Sequence, residues 1–240
     1  MRFIEKIFLK YLGLRRIEGT LCFDREVFDL FLSAPYDIAP NFQGSPPSTA
    51  KDVRCRDHPR FGRFVYAFAK YYKPHCIVEV GTHLGGTAVG WAKAIVENGR
   101  GKLICIDNDS YSEGTYPAIA RRNLIETGIA DEHLELHNGD SKAIVPHIAE
   151  VFRGKVETYL VDGDHTYEGA LTDIEKGLPM MRPGGFILVH DVDKNRKMDE
   201  TSQDHPHPVS EAFFRVIDGS KYEWCILKFI RKHLGVMRVT

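Results

Sequence analysis

The chain has 240 residues, 43% of them hydrophobic, and carries a formal net charge of −1 at pH 7. This composition predicts one medium-sized domain with a substantial core. A nearly neutral chain has no broad positive field to gather nucleic acid, so we expect no nucleic-acid partner. We also expect no transmembrane segment and no signal peptide, because no apolar run approaches the roughly 20 residues of a membrane-spanning helix.

The five cysteines are widely spaced, mostly inside apolar runs, and none belongs to a CxxC pair. An odd number with this spacing is typical of reduced thiols, whereas small secreted proteins pair their cysteines in disulfides. We therefore predict a cytoplasmic protein in which these cysteines are core thiols: Cys22, Cys55, Cys76, Cys105 and Cys225.

Residues 1–57 are predicted to form an N-terminal helical region and a loop, ahead of a main domain at 58–240. The first sixteen residues place apolar side chains on one helical face and basic side chains elsewhere. Such a helix lies on a membrane surface or packs on its own domain or a second subunit, and we favour packing. Residues 38–57 are rich in Pro, Ser, Gly and Asn without periodicity, which indicates a loop.

The main domain alternates short apolar runs with stretches of helical periodicity, which predicts an α/β fold with a doubly wound, mainly parallel sheet. The domain is predicted to begin with a helix at 59–72. At its other end, two strands joined by a short basic turn are predicted to form an antiparallel hairpin. Seven strands are predicted, at 76–80, 103–107, 134–140, 158–164, 185–191, 222–229 and 235–239. The helices between them are predicted to end at Ala94 and to span 116–127, 142–152, 167–181 and 209–218.

A glycine-rich turn, EVGTHLGGT at 79–87, follows the first strand of this sheet. Glycines let the backbone turn sharply and approach a ligand, and the start of the next helix offers N–H groups. The spacing of Gly81, Gly85 and Gly86 is GxxxGG, whereas dinucleotide-binding turns have GxGxxG, so a nicotinamide cofactor fits poorly.

Polar residues also follow the next two strands. Asp107 ends the second strand, at about the distance from the glycine turn where an acidic residue bonds ribose hydroxyls. Gly139, Asp140 and Ser141 follow the third strand. Ligands of doubly wound sheets bind beyond the carboxyl ends of the strands, so these residues predict a nucleotide-type cofactor site.

The chain resembles class I S-adenosylmethionine-dependent methyltransferases, whose fold is Rossmann-like. The resemblance lies in the order of five motifs: the glycine turn, Asp107, GDS, VDGDHTYEG and GGFILVHDV. Within them it is similar to the macrocin-type and cephalosporin-type sugar and antibiotic O-methyltransferases, over roughly residues 59–239. The resemblance implies S-adenosylmethionine as cofactor. It places Glu79 and Gly81 by the methionine part, Asp107 on the ribose and Asp140 with Ser141 by the adenine. Thr82 and Gly85 complete the predicted cofactor-binding set.

Carboxylates and histidines cluster at the ends of the fourth and fifth strands. Asp162, Asp164 and His165 follow one strand, and His190 and Asp191 end the other. If these strands are neighbours, the carboxylates repel one another unless a cation or a proton neutralises them. Oxygen ligands suit Mg²⁺ or Mn²⁺, and one histidine is tolerated by Mn²⁺, Fe²⁺ or Zn²⁺. Helix capping is the alternative role, for Asp164 in particular.

Resemblance to metal-dependent catechol-type O-methyltransferases implies finer roles for this cluster. It makes Asp162, His190 and Asp191 the metal ligands and His165, with Asp162, the catalytic group. Histidine replaces a carboxylate at position 190 and a lysine at position 165. A histidine near pKa 6.5 can accept a hydroxyl proton at neutral pH, so the predicted reaction is metal-assisted O-methylation with His165 as base.

Three alternatives for the function stay open at this point. The favoured one is methylation of a small molecule such as a sugar, glycoside or secondary metabolite. The others are an NAD(P)-linked oxidoreductase and a non-catalytic cofactor-binding protein. The polar stretch at 193–208, with His205 and His207, is either a substrate-covering loop or a solvated one. The N-terminal helix and the aromatic-rich 61–72 segment would suit a homodimer interface.

Overall fold

The computed structural model describes residues 15–35, 58–110, 114–193, 205–229 and 233–240. Contacts divide the chain into two compact units. We call Phe23–Ile144 the central unit, and Met1–Cys22 with Val145–Thr240 the terminal unit. The predicted helix at the N-terminus and the predicted loop at 38–57 lie outside the described residues, apart from Arg15 and Arg16. The predicted domain boundary after residue 57 stays a prediction.

Helices and strands alternate through most of the described chain, and the predicted α/β class is confirmed. In chain order the elements are β1 (Arg15–Gly19), α1 (Arg25–Ser33), α2 (His58–Tyr72), β2 (Cys76–Val80), α3 (Ala88–Asn98), β3 (Lys102–Asp107), α4 (Thr115–Ile125), β4 (Leu134–Asn138), α5 (Ser141–Val151), β5 (Val156–Val161), α6 (Tyr167–Gly177), β6 (Met181–His190), α7 (Pro208–Ile217), β7 (Glu223–Lys228) and β8 (His233–Arg238). Short 3₁₀ turns lie at Asp131–His133 and Leu178–Met180.

The central unit contains three parallel strands, with β3 paired to β2 on one side and to β4 on the other. All five residues of β2 are buried, as is the apolar run Leu103–Ile106 of β3. Continuous burial of this kind is typical of parallel strands that are covered on both faces. The carboxyl ends of the three strands therefore share one edge, where Asp107 ends β3.

The aromatic face of α2 is buried inside the central unit. Phe64 packs edge-on against Phe23, with ring centroids 6.3 Å apart, and Phe68 against Trp91 of α3, at 6.2 Å. Both phenylalanine side chains are fully buried. This face is therefore core of the same chain, although the sequence suggested it for a homodimer interface. The homodimer itself stays a prediction.

The terminal unit contains five strands in the order β1-β7-β8-β6-β5. Strands β5 and β6 are parallel, and β7 and β8 form the predicted antiparallel hairpin, with β8 also antiparallel to β6. Strand β1 pairs antiparallel with β7 and raises the described strands to eight, one more than predicted. The sequence did not reveal β1 because backbone pairing at a sheet edge needs no apolar pattern, and RRIEG has one apolar residue.

Element boundaries differ from the predicted ones by a few residues. The helix predicted over 167–181 ends at Gly177 and continues as a 3₁₀ turn. Pro179 lies in that turn, and it has no N–H with which to extend an α-helix. Helices α2, α4, α5 and α7 fall within two residues of the predicted bounds.

Four of the five cysteines lie in the described chain, and all four are thiols. Cys76, Cys105 and Cys225 are buried as predicted, whereas Cys22 is exposed. Burial raises the pKa of the Cys105 thiol well above its ordinary value and that of Cys225 to about 12. Among the described helices, none has the length and apolarity needed to cross a membrane.

Candidate active site

The glycine turn after β2 has three residues in the left-handed backbone region. Gly81 has φ +86°, His83 +51° and Gly85 +84°. The Gly81 N–H donates to the carbonyl of Ile106 at 2.9 Å, and the Gly85 N–H donates to the carbonyl of Thr82 at 2.8 Å. The turn is thus attached to the end of β3 before α3 begins.

The carboxylate of Asp107 is held by two backbone N–H groups. His83 donates to Oδ2 and Asp109 donates to Oδ1, both at 2.7 Å. An ionised carboxylate offers about four lone-pair directions, so two remain for other donors. The role of Asp107 on a ribose stays a prediction, and the two free lone pairs match the two hydroxyl donors of a ribose in number.

Two other predicted cofactor residues, Glu79 in β2 and Thr82 in the turn, are buried. Glu79 is 1% exposed and accepts a hydrogen bond from Nε1–H of Trp91 at 2.9 Å. The bond between Trp91 and Glu79 was not predicted, because nothing in the spacing of the two residues indicates it.

The third strand end is connected to the second. The Gly139 N–H donates to the backbone carbonyl of Asp107 at 2.8 Å. Asp140 is exposed, and its Oδ1 accepts the N–H of Lys142 at 2.9 Å, which caps α5 where Ser141 begins it. A role of Asp140 and Ser141 beside an adenine stays a prediction. All seven predicted cofactor residues belong to the central unit.

The carboxylate and histidine cluster lies in the terminal unit, at the adjacent ends of β5 and β6. Nδ1 of His190 is 2.8 Å from Oδ1 of Asp162, and Nε2 of His165 is 3.3 Å from the same oxygen. Possible ligand atoms of these three residues all lie within 4.8 Å of one another. The neighbouring strands therefore bring together the side chains that the sequence analysis expected to meet.

Asp191 closes the other side of the cluster. Its Oδ1 lies 3.5 Å from Nδ1 of His190, and its Oδ2 lies 3.9 Å from Nε2 of His165. The residue is buried and has a left-handed backbone, with φ +61°. Strained backbone of this kind is found at functional sites more than elsewhere.

The two histidines control the charge of Asp162. Burial opposes its ionisation, but the charge of His190 and the hydrogen bonds from His165 and His190 outweigh burial and hold the pKa of Asp162 well below its usual range. The cluster therefore contains a carboxylate that is ionised at neutral pH.

Thr166 is the residue that caps α6, so the helix-capping alternative for Asp164 is wrong, although Asp164 binds the backbone of that cap. Oδ1 of Asp164 accepts the N–H of Thr166 at 2.9 Å, and Oγ1 of Thr166 accepts the N–H of Gly169 at 3.0 Å at the start of α6. A Cβ on Gly169 would overlap the carboxylate of Asp164. The glycine at the end of VDGDHTYEG is thus explained by a close contact, which the sequence alone did not indicate.

His205 and His207 approach Glu211 in the terminal unit. Nδ1 of His205 is 2.7 Å from Oε2 of Glu211, and the His207 N–H donates to Oε1 at 3.0 Å. The His205 ring stacks on Tyr167 with centroids 3.9 Å apart. The sequence analysis named both histidines as candidates, but it did not predict Glu211 and Tyr167 as their partners. The loop prediction for 193–208 stays open, because 194–204 lie outside the described residues.

Known proteins share this fold and part of this sequence. A family model described as "Methyltransferase domain" matches residues 78–192. A catechol O-methyltransferase of Niastella koreensis is 27% identical over 146 residues, 60% of this chain. The aligned region spans 62% of that relative and 55% of a second one from Mycobacterium sp. strain JLS. The chain thus spans less than two thirds of the length of either relative.

Solved structures show the same architecture. A methyltransferase of Podospora anserina, bound to SAH, aligns with a TM-score of 0.62 at 15% identity, covering 93% of this chain and 100% of that one. An O-methyltransferase of Streptomyces achromogenes involved in tomaymycin synthesis, in complex with SAM, aligns with a TM-score of 0.61 at 17% identity, covering 100% of both chains. The fold is the Rossmann-like fold of class I methyltransferases, as the sequence predicted.

Proposed function

We propose that this chain is an S-adenosylmethionine-dependent O-methyltransferase acting on a hydroxyl of a small molecule such as a sugar, glycoside or secondary metabolite. The observation that carries the proposal is Asp107, which two backbone N–H groups hold beside the glycine turn, inside the segment that matches a methyltransferase domain. The proteins of Niastella koreensis and Streptomyces achromogenes named above are O-methyltransferases, which supports the same reaction class. The finer assignment to the macrocin and cephalosporin type rests on sequence resemblance.

The proposed cofactor site uses the seven predicted residues of the central unit. Asp107 accepts the ribose hydroxyls, Glu79 and Gly81 lie by the methionine part, and Asp140 with Ser141 lies by the adenine. Thr82 and Gly85 shape the turn. S-adenosylmethionine supplies an electrophilic methyl group, and the protein contributes orientation and electrostatics.

The proposed base is His165, which takes the proton of the acceptor hydroxyl. Its Nε2 lies 3.3 Å from Oδ1 of Asp162 and 3.9 Å from Oδ2 of Asp191. Two carboxylates at these distances stabilise the imidazolium that forms when the ring takes up a proton. The deprotonated hydroxyl oxygen then attacks the methyl carbon, and the sulfur leaves with the bonding electron pair.

A divalent ion fits the donor set of this cluster. Asp162, His190 and Asp191 would hold it. Together they offer one imidazole nitrogen and carboxylate oxygens, a ligand set that suits Mn²⁺, Fe²⁺ or Zn²⁺ better than it suits Mg²⁺. The left-handed backbone of Asp191 directs a second carboxylate toward the other two ligands. When bound, such an ion lowers the pKa of a coordinated hydroxyl.

Two measurements test the proposed function. Calorimetry on the full chain is expected to show binding of S-adenosylmethionine and none of NAD, because the glycine spacing differs from the dinucleotide turn. Release of S-adenosylhomocysteine is then followed with a panel of hydroxyl acceptors, before and after exhaustive chelation. Binding of NAD alone would favour an oxidoreductase, and cofactor binding without turnover on any acceptor would favour a non-catalytic protein. Full activity after chelation would remove the metal from the proposal.

A further inference from the structure

Four described residues other than glycine have a left-handed backbone: Lys73 (φ +49°), His83 (+51°), Asp109 (+53°) and Asp191 (+61°). Two of the four, His83 and Asp109, donate their N–H groups to the same carboxylate, that of Asp107. A side chain in this region is disfavoured by contacts between its Cβ and the backbone. The chain thus accepts backbone strain at the two positions that hold Asp107.

His83 belongs to a residue type that tolerates this backbone. His, Asn and Asp are enriched among non-glycine residues at positive φ, whereas β-branched residues are rare there. The ring of His83 packs edge-on against Tyr116, with centroids 4.5 Å apart and an angle of 81°. The ring therefore contacts α4, and the backbone N–H makes the contact with Asp107.

We propose that His83 is a positioning residue for the cofactor, acting through its backbone N–H rather than its imidazole. Its left-handed conformation directs the N–H at Oδ2 of Asp107, while the Asp109 N–H occupies Oδ1, so that the carboxylate is fixed in one orientation. The remaining lone pairs then face the two hydroxyls of the ribose together. The inference rests on the proposed function, because it needs a ribose-containing cofactor at Asp107.

Substitutions at His83 separate the backbone from the ring. His83→Gly and His83→Asn remove the imidazole but keep a residue that adopts φ near +50° without great strain. His83→Val also removes the imidazole, but its branched Cβ disfavours this backbone and moves the N–H away from Asp107. Lys73→Val is the matched control, because Lys73 has nearly the same φ at the end of α2.

The experiment measures Kd by calorimetry on the full chain for S-adenosylhomocysteine and for its 2′-deoxyribose analogue, together with Tm. We expect Kd for S-adenosylhomocysteine to stay within about threefold of wild type in the Gly and Asn variants and to rise about tenfold in the Val variant. Wild type is expected to prefer the ribose ligand, and His83→Val to lose most of this preference. Lys73→Val is expected to lower Tm like His83→Val and to leave both Kd values unchanged.

Each outcome decides the inference. If His83→Val keeps the affinity and the ribose preference of wild type, the backbone N–H does not position Asp107. If His83→Gly and His83→Asn lose as much as His83→Val, the imidazole carries the effect and the inference is wrong. Should His83→Val fail to fold, His83→Ala takes its place, because alanine tolerates positive φ less well than glycine or asparagine but has no branched Cβ. Failure of wild type to bind either ligand would overturn the proposed function, and the inference with it.

Discussion

His165 lies between two carboxylates of the terminal unit, which is the environment of a proton acceptor. We expect His165→Ala to lower turnover by about 10²- to 10⁴-fold, the usual contribution of a general base. The Kd for S-adenosylmethionine is expected to stay nearly unchanged, because His165 is not one of the predicted cofactor residues, all of which belong to the central unit. Release of S-adenosylhomocysteine and calorimetry measure the two quantities. His147→Ala, on the exposed side of α5, is the control, and unchanged turnover in His165→Ala would refute the assignment.

In the proposed metal site, His190 offers an imidazole where the resemblance to catechol-type O-methyltransferases implies a carboxylate, and this sets the metal preference that we expect. Nitrogen ligands favour first-row transition ions over Mg²⁺. We expect wild type to bind Mn²⁺ or Co²⁺ more tightly than Mg²⁺, and His190→Asp to shift the preference toward Mg²⁺. Calorimetry and the visible spectrum of bound Co²⁺ report the change, with His147→Asp as control. Equal preferences in wild type and His190→Asp would exclude His190 as a ligand.

Single residues of the candidate site were predictable where their chemistry follows a strand. Asp107, Asp162, His190 and Asp191 come at or just after strand ends, and parallel strands collect such residues at one edge. Contacts with distant partners were not predictable. The contacts of Trp91 with Glu79 and of Glu211 with His205 depend on how the helices pack. The spacing of these residues in the sequence does not indicate that packing.

Helices α2 and α3 cross at two glycines. Gly90 of α3 lies against Gly62 of α2 so closely that a Cβ on Gly90 would overlap the Gly62 carbonyl oxygen and approach Cγ2 of Val65 to 2.7 Å. We expect Gly90→Ala to lower the free energy of unfolding by about 1–3 kcal/mol, since the neighbouring atoms are backbone and buried side chain. Denaturant titration measures the change. Val96→Ala, at an exposed position of the same helix, is expected to stay within about 0.5 kcal/mol of wild type.

Glu97 links the same two helices through charge. It accepts the Tyr66 hydroxyl at 2.7 Å and lies 3.3 Å from Nζ of Lys70. Burial alone would raise its pKa, but these partners and Lys93 outweigh burial and lower the pKa of Glu97 from 4.5. A carboxyl whose pKa is lower in the folded than in the unfolded state stabilises the fold at every pH above its unfolded pKa. This stabilisation is lost as the pH falls through the folded pKa.

We therefore expect Glu97→Gln to be less stable than wild type at pH 7, by about 1 kcal/mol or less after allowance for solvent screening. The difference is expected to start closing as the pH falls below 4.5 and to be gone once the pH has passed through the lower pKa of folded Glu97. Denaturant titrations across the acid range measure both chains. A difference that stays constant down to the acid limit would show that the charge of Glu97 is not responsible.

Most elements were predictable because their periodicity is strong and their ends carry turn residues. The buried strands β2 and β3 of the central unit are short, largely apolar runs, and the helices between them repeat apolar residues every three to four positions. Strand β1 was missed because backbone pairing at a sheet edge needs no apolar pattern. Helix α6 ended early because Pro179 interrupts the periodic pattern that continues beyond it.

Cofactor binding is expected to change the stability of the whole molecule. A ligand that binds only the native state stabilises it by about 2.7 kcal/mol at 100 times its Kd. For a chain of this size that corresponds to a rise in Tm of about 5–10 °C. Thermal unfolding with S-adenosylhomocysteine and with NAD is the measurement, and only the first is expected to raise Tm. An equal rise with both would contradict the cofactor assignment.

The sequence predicted the fold of the whole molecule, but it did not predict which acceptor molecule is methylated. Alternating strands and helices with a closing hairpin leave few architectures, and the resemblance to methyltransferases selects among them. The acceptor depends on loops whose sequence has no general relation to what they bind. Its identity therefore has to come from an activity panel rather than from the pattern of residues.

The buried thiols give this protein built-in reporters of local opening. Cys76 and Cys105 lie in β2 and β3 of the central unit, and Cys225 lies in β7 of the terminal unit. A thiol reagent can reach them only when the surrounding strands separate, so the labelling rate of each cysteine measures how often its own unit opens. Exposed Cys22 needs no such opening and serves as the reference for the labelling rate. Mass spectrometry of the labelled peptides would thus follow the two units separately, in the unmodified chain and at each ligand concentration.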